Sequence, residues 1–438
     1  MSVAVRLSAV TEWTCVLMNR QRYTCDVLIV GGGPAGIAAA VAASEYHQRV
    51  IIVDDNPAPG GQIWRGSHTK SSPAAHWIDQ LKSVQVIIGT RVFYSNGGGQ
   101  LYAESDDDIY EIQYQRLILA TGARERFIPF PGWTLPGVMG AGGLQALVKG
   151  GYSIRGKRVV VAGTGPLLLA VAAYLKEKGA DIRLIAEQAP FPKLANFGFQ
   201  LVRQPTKIWQ FMGLQKQLLG IPYLRSSWPI AAEGKAKLES VTLQQNNRKR
   251  QVECDYLACS FYLVPNLELP TMLGCTMTNS FLQVNEFQET SQPNIYAVGE
   301  ITGIGGLEKS LVEGQIAGYA ASAKPELARK LFRERAKQYE FAGHLARTFE
   351  LRVDLKNLVT PETIVCRCED VTRQRLDSYA SWRAAKLQTR CGMGPCQGRI
   401  CGPAVSFLYN WQVESIRPPL FPVKVDSLIS LFARQADQ

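Results

Sequence analysis

The chain has 438 residues, and at ~150 residues per domain this length indicates about three domains. Apolar residues make up 46% of the sequence and charged residues 19%, proportions that exclude a disordered or fibrous chain. We interpret the net charge of +11 first as a solvated basic face and second as a docking surface for an acidic partner or anionic lipid. No nucleic-acid recognition motif accompanies this charge, so we predict no nucleic-acid partner.

Residues 1–23 have neither a clean signal peptide nor a long apolar run, and we interpret them as an N-terminal extension. The longest apolar run, 159–175, contains Gly-Thr-Gly-Pro and is typical of a strand–turn–helix unit rather than a membrane span. Five of the ten cysteines lie between 366 and 401, which favours metal binding over a disulfide framework. We therefore expect a cytoplasmic protein without a membrane span, whose basic surface allows peripheral attachment at the inner membrane face.

A short apolar run at 25–30 precedes Gly31-Gly-Gly33-Pro-Ala-Gly36 and an alanine-rich segment, which predicts strand, glycine turn and helix. The first glycine permits the tight turn, the second admits a pyrophosphate and the third lets helix and strand pack closely. A purely structural packing turn is the alternative. Aspartates end the next apolar run, 50–53, where a carboxylate would hold a ribose. The residues predicted to bind the nucleotide are Gly31, Gly33, Pro34, Ala35, Gly36 and Asp54, with Asp55 as the alternative carboxylate.

A second copy of this pattern begins at Arg158, with the turn Gly163-Thr-Gly165-Pro. Leu168 stands where the third glycine belongs, and its side chain would crowd the helix against the strand. Two such units predict two dinucleotide-type domains, each built on a mostly parallel sheet. We interpret the second as degenerate, and productive nicotinamide binding there is the less favoured alternative.

Between and after these units the sequence predicts shorter elements and no redox-active cysteine pair. The segment 60–64 has no cysteine, and we expect Cys254 and Cys259 to be core thiols. The predicted elements are a helical connection over 191–228, a hairpin formed by 241–244 and 252–259, a buried strand over 294–298 that ends in a glycine turn, and a helix over 311–322.

Two short cysteine motifs lie near the C-terminus, Cys-Arg-Cys at 366–368 and Cys-Gly-Met-Gly-Pro-Cys-Gln-Gly-Arg-Ile-Cys at 391–401. Zinc usually takes Cys-x-x-Cys knuckles, whereas a Cys-x-Cys pair with a distant second pair better matches a two-iron cluster. Zinc and unligated structural thiols are the alternatives. Because five cysteines compete for four positions, we predict Cys366, Cys368, Cys396 and Cys401 as ligands, with Cys391 as the alternate.

The first glycine turn and four further motifs together resemble one family, the pyridine-nucleotide-reductase-like subunits of heteromeric flavin amine dehydrogenases. Its members include one of the subunits of opine oxidases, the α subunits of proline and hydroxyproline dehydrogenases, and one of the subunits of hydrogen cyanide synthase. The C-terminal part resembles a 2Fe–2S domain of the bacterioferritin-associated-ferredoxin type. The further motifs are Pro59-Gly-Gly-Gln-Ile-Trp-Arg65, Ala120-Thr-Gly-Ala-Arg-Glu-Arg126, Ala297-Val-Gly-Glu-Ile-Thr-Gly-Ile-Gly-Gly306 and Gly392-Met-Gly-Pro-Cys-Gln-Gly-Arg399.

The resemblance implies a partner of the glycine-oxidase kind, an FAD subunit that carries the substrate site, and it allows a small third subunit. It also implies that the first turn binds FAD or another adenine nucleotide, and it allows FMN at the subunit interface. Electrons would then pass through a 2Fe–2S cluster to an external acceptor, a quinone or similar. Tyr262 departs from the glycine of the family, which fits a degenerate second domain. The cofactor residues added by the resemblance are Gly61, Gln62, Thr121, Gly122, Gly299 and Glu300.

We therefore predict an α/β chain with two Rossmann-like FAD/NAD(P)-binding domains, the second inserted in the first, and a small C-terminal iron–sulfur domain. The predicted function is an electron-transfer flavoprotein subunit of a dehydrogenase or oxidase that acts on the C–N bond of an amine, opine or imino acid. A self-sufficient NAD(P)H-dependent FAD reductase and a non-catalytic iron–sulfur regulator are the alternatives. The predicted boundaries are 24–146 and 270–323 for the first domain, 147–269 for the second, 324–354 for a charged helical linker and 355–438 for the 2Fe–2S domain.

Overall fold

A computed structural model of the chain describes residues 18–65, 73–201, 205–412 and 416–432. Its strands are β1 (Asn19–Val30), β2 (Val50–Val53), β3 (Gln85–Ile87), β4 (Arg91–Gly97), β5 (Gln100–Glu104), β6 (Asp108–Leu119), β7 (Ala123–Glu125), β8 (Val138–Gly140), β9 (Arg158–Thr164), β10 (Asp181–Glu187), β11 (Tyr223–Arg225), β12 (Ser227–Glu233), β13 (Ser240–Gln245), β14 (Arg248–Glu253), β15 (Tyr256–Phe261), β16 (Leu263–Pro265), β17 (Met277–Thr278), β18 (Phe281–Leu282), β19 (Ile295–Ala297), β20 (Ile364–Cys366) and β21 (Val371–Thr372). Its α-helices are α1 (Pro34–Ser44), α2 (Gly61–Trp64), α3 (Pro73–Ile78), α4 (Ala141–Lys149), α5 (Leu167–Glu177), α6 (Phe191–Leu201), α7 (Pro205–Gln217), α8 (Glu268–Met272), α9 (Leu307–Ala321), α10 (Pro325–Lys330), α11 (Phe332–Thr348), α12 (Arg373–Leu376), α13 (Trp382–Thr389), α14 (Cys401–Tyr409) and α15 (Val425–Phe432).

The first domain is built on a sheet with the strand order β3-β2-β1-β6-β5-β4, and β19 pairs with the C-terminal half of β6. Strands β3, β2, β1, β6 and β19 run parallel, whereas β5 and β4 form an antiparallel edge. The alanine-rich α1 packs against this sheet and against α9, which also contacts β6 and β19. A Cβ at Gly314 would lie 2.2 Å from the Ala35 carbonyl oxygen, so the approach of α1 and α9 requires glycine.

Strand β1 begins earlier than the sequence indicated. Residues 19–23 pair in parallel with 108–112 of β6, and Arg20 donates to Glu111 at 2.6 Å. These residues therefore belong to the first sheet and not to an N-terminal extension. Their half-exposed, polar side chains lack the apolar alternation that marks a strand, so this part of β1 could not be predicted from the sequence. Residues 1–17 of the predicted extension lie outside the described residues.

The second domain has a parallel sheet with the order β11-β10-β9-β15-β8 and a separate antiparallel sheet, β12-β13-β14. Because β8 pairs with β15, this domain begins before the predicted boundary at 147. The predicted hairpin is wrong in its second strand: β13 pairs with β14, and β15 joins the parallel sheet instead. Strand β14 is exposed on both faces, so its sequence carries no apolar alternation.

The C-terminal region consists of the predicted helical linker, α10 and α11, and a small cysteine-bearing domain whose compact part spans β20 to α14. Residues 416–432 return to the first domain, where the Leu420 N–H donates to the Phe93 carbonyl at 2.9 Å. The cysteine-bearing domain is therefore shorter than the predicted 355–438. Among the described residues, no helix is long and apolar enough to cross a membrane.

Candidate functional site

The first glycine turn, residues 31–33, lies between the carboxyl end of β1 and the start of α1, as predicted. Gly31 has φ +110°, and a Cβ there would lie 2.2 Å from the Ala120 carbonyl oxygen. A Cβ at Gly36 would lie 1.9 Å from the Gly31 carbonyl oxygen. These two glycines are therefore required by the protein's own packing, the first for the turn and the second for the helix–strand contact.

Gly33 is different, because none of the described residues excludes a side chain there. Its φ of −76° suits any residue, and a Cβ would meet nothing closer than the Gly61 Cα at 4.0 Å. The space beside Gly33 adjoins the N-terminus of α1, where free N–H groups and the helix dipole favour an anion. Pro34 and Ala35 form the buried first turn of that helix. The residues present thus fit a dinucleotide pyrophosphate.

Of the two predicted ribose carboxylates, Asp54 faces this turn. It is buried at the end of β2 and accepts hydrogen bonds from the Gly32 N–H and from the Asn56 N–H and Nδ2, the latter two at 2.7 Å. The Asp55 carboxylate is exposed and lies 3.9 Å from Arg91. Asp54 is therefore the residue that the structure places at the turn.

Two further predicted segments meet the first turn or adjoin it. The Gly60 N–H donates to the Gly32 carbonyl at 2.7 Å, and a Cβ at Gly61 would lie 3.0 Å from the Gly33 Cα, so α2 starts against the turn. Gln62 is exposed on α2. The other segment, Thr121 and Gly122, follows β6 and is fixed through Asn266. Asn266 donates from Nδ2 to the Thr121 carbonyl at 2.8 Å and from its backbone N–H to the Gly122 carbonyl at 3.0 Å.

Gly299 and Glu300 follow β19 in a short 3-10 helix. Gly299 has φ +82°, and a Cβ there would lie 3.0 Å from the Ala35 Cβ, so this segment also touches the first turn of α1. The Glu300 carboxylate accepts from the Gly305 and Gly306 N–H groups at 3.1 and 2.9 Å. Burial raises the pKa of Glu300 above its ordinary value. The glycine-rich segment before α9 is therefore held in one conformation beside α1.

A buried ion pair beneath this segment was missed by the sequence analysis. Lys309 and Glu313 lie one turn apart on α9, with side chains only 2% and 0% exposed, and their charged atoms are 2.8 Å apart. Lys309 Nζ also donates to the Gly299 carbonyl at 2.9 Å, and Glu313 accepts from the Gly299 N–H at 2.7 Å. The signal was a Lys and a Glu at i and i+4 in a helix otherwise rich in small residues.

Two buried polar atoms between the domains have no hydrogen-bond partner among the described residues, Arg126 Nε and the Tyr262 hydroxyl. Burial raises the pKa of Tyr262 to about 12, and the nearby Glu300 charge acts in the same direction. Unsatisfied buried polar groups are rare in native proteins, and a bound group is one explanation for them. Because Tyr262 lies near Glu300, we include Tyr262 at the edge of the candidate cofactor site that faces the second domain.

The second glycine turn is occupied by the protein's own groups. The Gly165 N–H and the Thr164 hydroxyl donate to the carboxylate of Glu187 at 2.8 and 2.7 Å. Glu187 is fully buried, and burial raises its pKa to about 7. Leu168 is buried where the third glycine would stand. Glu187 therefore satisfies one backbone N–H and one hydroxyl of the turn, and Leu168 fills the position of the third glycine.

The chain also covers this turn from outside. Gln188 Nε2 donates to the Glu350 carbonyl at 3.0 Å, and Gln188 Oε1 accepts from the Arg352 N–H at 3.3 Å. The segment after α11 therefore crosses the end of β10. Tyr262 has φ +71°, a strained value for a residue with a side chain, and packs with apolar residues of α6, α7 and α11. Open α/β sheets bind ligands at this edge. This geometry supports the prediction that the second site is degenerate.

The five C-terminal cysteines converge in one small domain. The sulfurs of Cys366, Cys391 and Cys401 all lie within 4.8 Å of one another and are buried. The Cys396 side chain is hydrogen-bonded to those of Cys401 and Cys368. The predicted alternate, Cys391, is therefore part of the most compact group, whereas Cys368 is exposed.

The pKa values within the compact group shift in opposite directions, because the hydrogen bonds that lower the pKa of Cys366 raise those of Cys391 and Cys401. Hydrogen bonds from Cys391 and Cys401 hold the pKa of Cys366 well below its ordinary value. Thiolates are the form in which cysteine binds metals. Several thiols this close are the donor set that an iron–sulfur cluster or zinc requires, so the residues present fit such a group.

The cysteine loop is tied directly to the first nucleotide site through Arg124, which the sequence analysis also missed. The Arg124 guanidinium donates to the Arg399 carbonyl at 3.1 Å and to Asn266 Oδ1 at 2.7 Å, and it pairs with Glu268 at 2.9 Å. Arg399 lies between Cys396 and Cys401, and Asn266 holds the segment at Thr121. One side chain thus spans the two candidate cofactor sites.

Comparison with known proteins agrees with this architecture. The hydrogen cyanide synthase subunit HcnB of Pseudomonas aeruginosa is 30% identical, in an alignment that covers 85% of this chain and 90% of HcnB. One of the subunits of opine oxidase from Rhizobium meliloti (strain 1021) is 29% identical, in an alignment that covers 93% of this chain and 98% of the opine oxidase chain.

The crystal structure of L-proline dehydrogenase from P. horikoshii has the same fold, with a TM-score of 0.69 at 20% sequence identity. That similarity covers 94% of this chain and 80% of the dehydrogenase. The family model described as pyridine nucleotide-disulphide oxidoreductase matches residues 25–328. The chain therefore belongs to the pyridine nucleotide-disulphide oxidoreductase family.

Proposed function

We propose that this chain is the electron-transfer flavoprotein subunit of a heteromeric oxidoreductase that acts on the C–N bond of an amine, opine or imino acid. The first turn would hold FAD through the predicted residues around Gly33, and the cysteine domain a 2Fe–2S cluster. When bound, the flavin would exchange electron pairs and the cluster single electrons. FMN, if the complex contains it, is assigned to the contact with the partner.

The observation that carries this proposal is the Arg124 bridge. The Arg124 guanidinium connects the cysteine loop at Arg399 with Asn266, which holds Thr121, so the chain fixes the segments that would carry the metal and the nucleotide relative to each other. Such a pairing suits electron transfer between two bound groups.

The proposal assigns substrate oxidation to a partner, because two relatives, HcnB and the opine oxidase chain, are named as subunits of larger enzymes. We expect the partner to be a glycine-oxidase-like FAD protein, with room for a small third subunit. The nine cysteines within the described residues are free thiols, which fits assembly in the reducing cytoplasm.

The proposal is tested by expressing the chain with a flavoprotein encoded beside it, purifying the complex through a tag on this chain, and screening amines, opines and imino acids with a dye acceptor. Copurification and turnover that requires both proteins support the proposal. Full substrate turnover by the partner alone at the same rate, with and without this chain, contradicts it.

The purified chain should not oxidise NADPH at a rate near that of normal reductases, about 1–1000 per second. The reason is that Glu187 and the covering residues occupy the second turn. Leu168→Gly should not create this activity, because Glu187 and Tyr262 remain. Stopped-flow assays with NADPH and a dye check the prediction. Saturable turnover in the normal range would support the reductase alternative instead.

Replacing Arg124 by Met should loosen the cysteine loop, because the guanidinium makes bonds to an acid, an amide and a carbonyl. We expect a loss of roughly 1.5–3 kcal/mol in the stability of the cysteine domain and faster removal of its metal by a chelator. Arg183→Met is the matched control, because Arg183 forms an exposed pair with Asp181 and should contribute almost nothing. Equal chelation rates in the two variants would refute the bridging role.

A further inference from the structure

The buried ion pair of α9, Lys309 with Glu313, holds one residue of the candidate site by both of its backbone polar groups. Glu313 Oε2 accepts from the Gly299 N–H at 2.7 Å, and Lys309 Nζ donates to the Gly299 carbonyl at 2.9 Å. The Thr302 hydroxyl lies 2.8 Å from both Lys309 Nζ and Glu313 Oε2. The peptide groups on both sides of Gly299 are therefore fixed by charge-assisted hydrogen bonds.

Helix α11 contributes to this network as well. The Tyr339 hydroxyl donates to Glu313 Oε1 at 2.8 Å and accepts from Gln288 Nε2 at 3.2 Å. The aliphatic stem of Lys309 is closely packed, because a Cβ at Gly305 would lie 2.3 Å from Lys309 Cδ. Both charged groups thus have several partners, so a conformational change of the segment that they hold would break several hydrogen bonds at once.

The position of this ion pair indicates its role better than its charge does. A buried ion pair is weak evidence for stability, because transferring two charges out of water can cost more than their attraction contributes. Here both charges end on the backbone of Gly299. A Cβ at Gly299 would lie 3.0 Å from the Ala35 Cβ, in the first turn of α1. The pair therefore supports the segment that borders the proposed phosphate end of the nucleotide site.

From these contacts we infer that Lys309 and Glu313 are positioning residues for the nucleotide phosphates. The pair fixes the Gly299 segment against α1 before a nucleotide binds, and a binding segment that is already ordered gives higher affinity. The ribose end is held by other groups, since Asp54 accepts from the Asn56 N–H at 2.7 Å. This inference rests on the proposed function, because it uses the nucleotide assigned to the first turn.

The test compares the full-length wild type with K309M/E313Q, both freed of resident nucleotide, by equilibrium dialysis against ADP and against adenosine. Met keeps an unbranched stem at 309 and Gln keeps an acceptor for the Gly299 N–H, while both charges are removed together. We expect the affinity for ADP to fall at least roughly tenfold and that for adenosine to stay within about twofold of the wild type. The denaturant midpoint of the nucleotide-free protein should stay close to that of the wild type.

The matched control is E334Q/K337M, which makes the same two substitutions in an exposed ion pair of α11 and should bind ADP like the wild type. Equal ADP affinity in K309M/E313Q and the wild type overturns the inference and leaves the proposed electron-transfer function standing. An equal loss of affinity for ADP and adenosine also overturns it, since the pair would then support the domain as a whole. A wild type that binds neither ligand removes the nucleotide from the first turn and contradicts both proposals.

If K309M/E313Q does not fold, amide exchange in the wild type tests the same inference. The Gly299 N–H should exchange slowly in the nucleotide-free protein, because Glu313 already holds it. Nuclear magnetic resonance of protein labelled at glycine measures this rate. Fast exchange that slows only when ADP binds would show that the nucleotide orders the segment, and this result would overturn the inference.

Discussion

Gly33→Val should abolish nucleotide retention while leaving the chain folded. Residue 33 has an ordinary extended conformation, and its side chain would enter the open space beside the N-terminus of α1, where the pyrophosphate would lie. We expect flavin content near background and a free energy of unfolding of the nucleotide-free protein within roughly 0.5 kcal/mol of wild type. Flavin absorbance after purification and denaturant unfolding measure both quantities.

Gly36→Val is the matched control for this result. Its Cβ would lie 1.9 Å from the Gly31 carbonyl oxygen, so the helix and strand would have to separate. We expect Gly36→Val to destabilise the domain itself, by about 1–3 kcal/mol or more. Normal flavin content in folded Gly33→Val protein would show that the nucleotide does not lie at this turn.

Removal of the sulfur at Cys366 or Cys401 should eliminate the metal cluster. Both belong to the compact group of thiols, and each is one member of a predicted ligand pair, with Cys368 and Cys396 as the others. We expect about two irons and two acid-labile sulfides per chain in the wild type. Each of the four variants in which Cys366, Cys368, Cys396 or Cys401 is replaced by Ser should contain only background iron. Iron analysis and electron paramagnetic resonance after reduction check this.

Cys391→Ser distinguishes the predicted ligand set from its alternative. Cys391 is fully buried in the core of the cysteine domain, so its replacement should lower stability. If Cys366, Cys368, Cys396 and Cys401 are the ligands, this variant should still hold iron. Loss of the cluster in Cys391→Ser, together with its retention in Cys368→Ser, would place Cys391 in the ligand set.

The sequence was sufficient for the parts of the fold that repeat a strong local pattern. The two strand–turn–helix units are confirmed because buried parallel strands are continuous apolar runs and their glycines have fixed positions. The prediction missed two exposed strand segments, residues 19–23 of β1 and strand β14. Most of their side chains are polar, so the sequence shows no apolar periodicity there. Their pairing depends on neighbours distant in the chain.

The residues of the candidate site also differ in whether the sequence could predict them. Gly33 and Asp54 belong to a local motif and could be predicted, whereas Arg124, Lys309 and Glu313 act through partners that only the folded chain brings together. The degeneracy of the second site was predicted from Leu168 and from the departure at Tyr262. The structure adds a further contact, the buried Glu187, which no spacing rule identifies as a partner of the Gly165 N–H.

The central claim is that one chain carries a flavin site and an iron–sulfur site for electron transfer. Its most direct test is the cofactor content of the full chain purified without oxygen. We predict one adenine dinucleotide, about two irons and two acid-labile sulfides per chain, with a paramagnetic signal on reduction. A chain that holds zinc and no iron would contradict the claim, whatever nucleotide it binds.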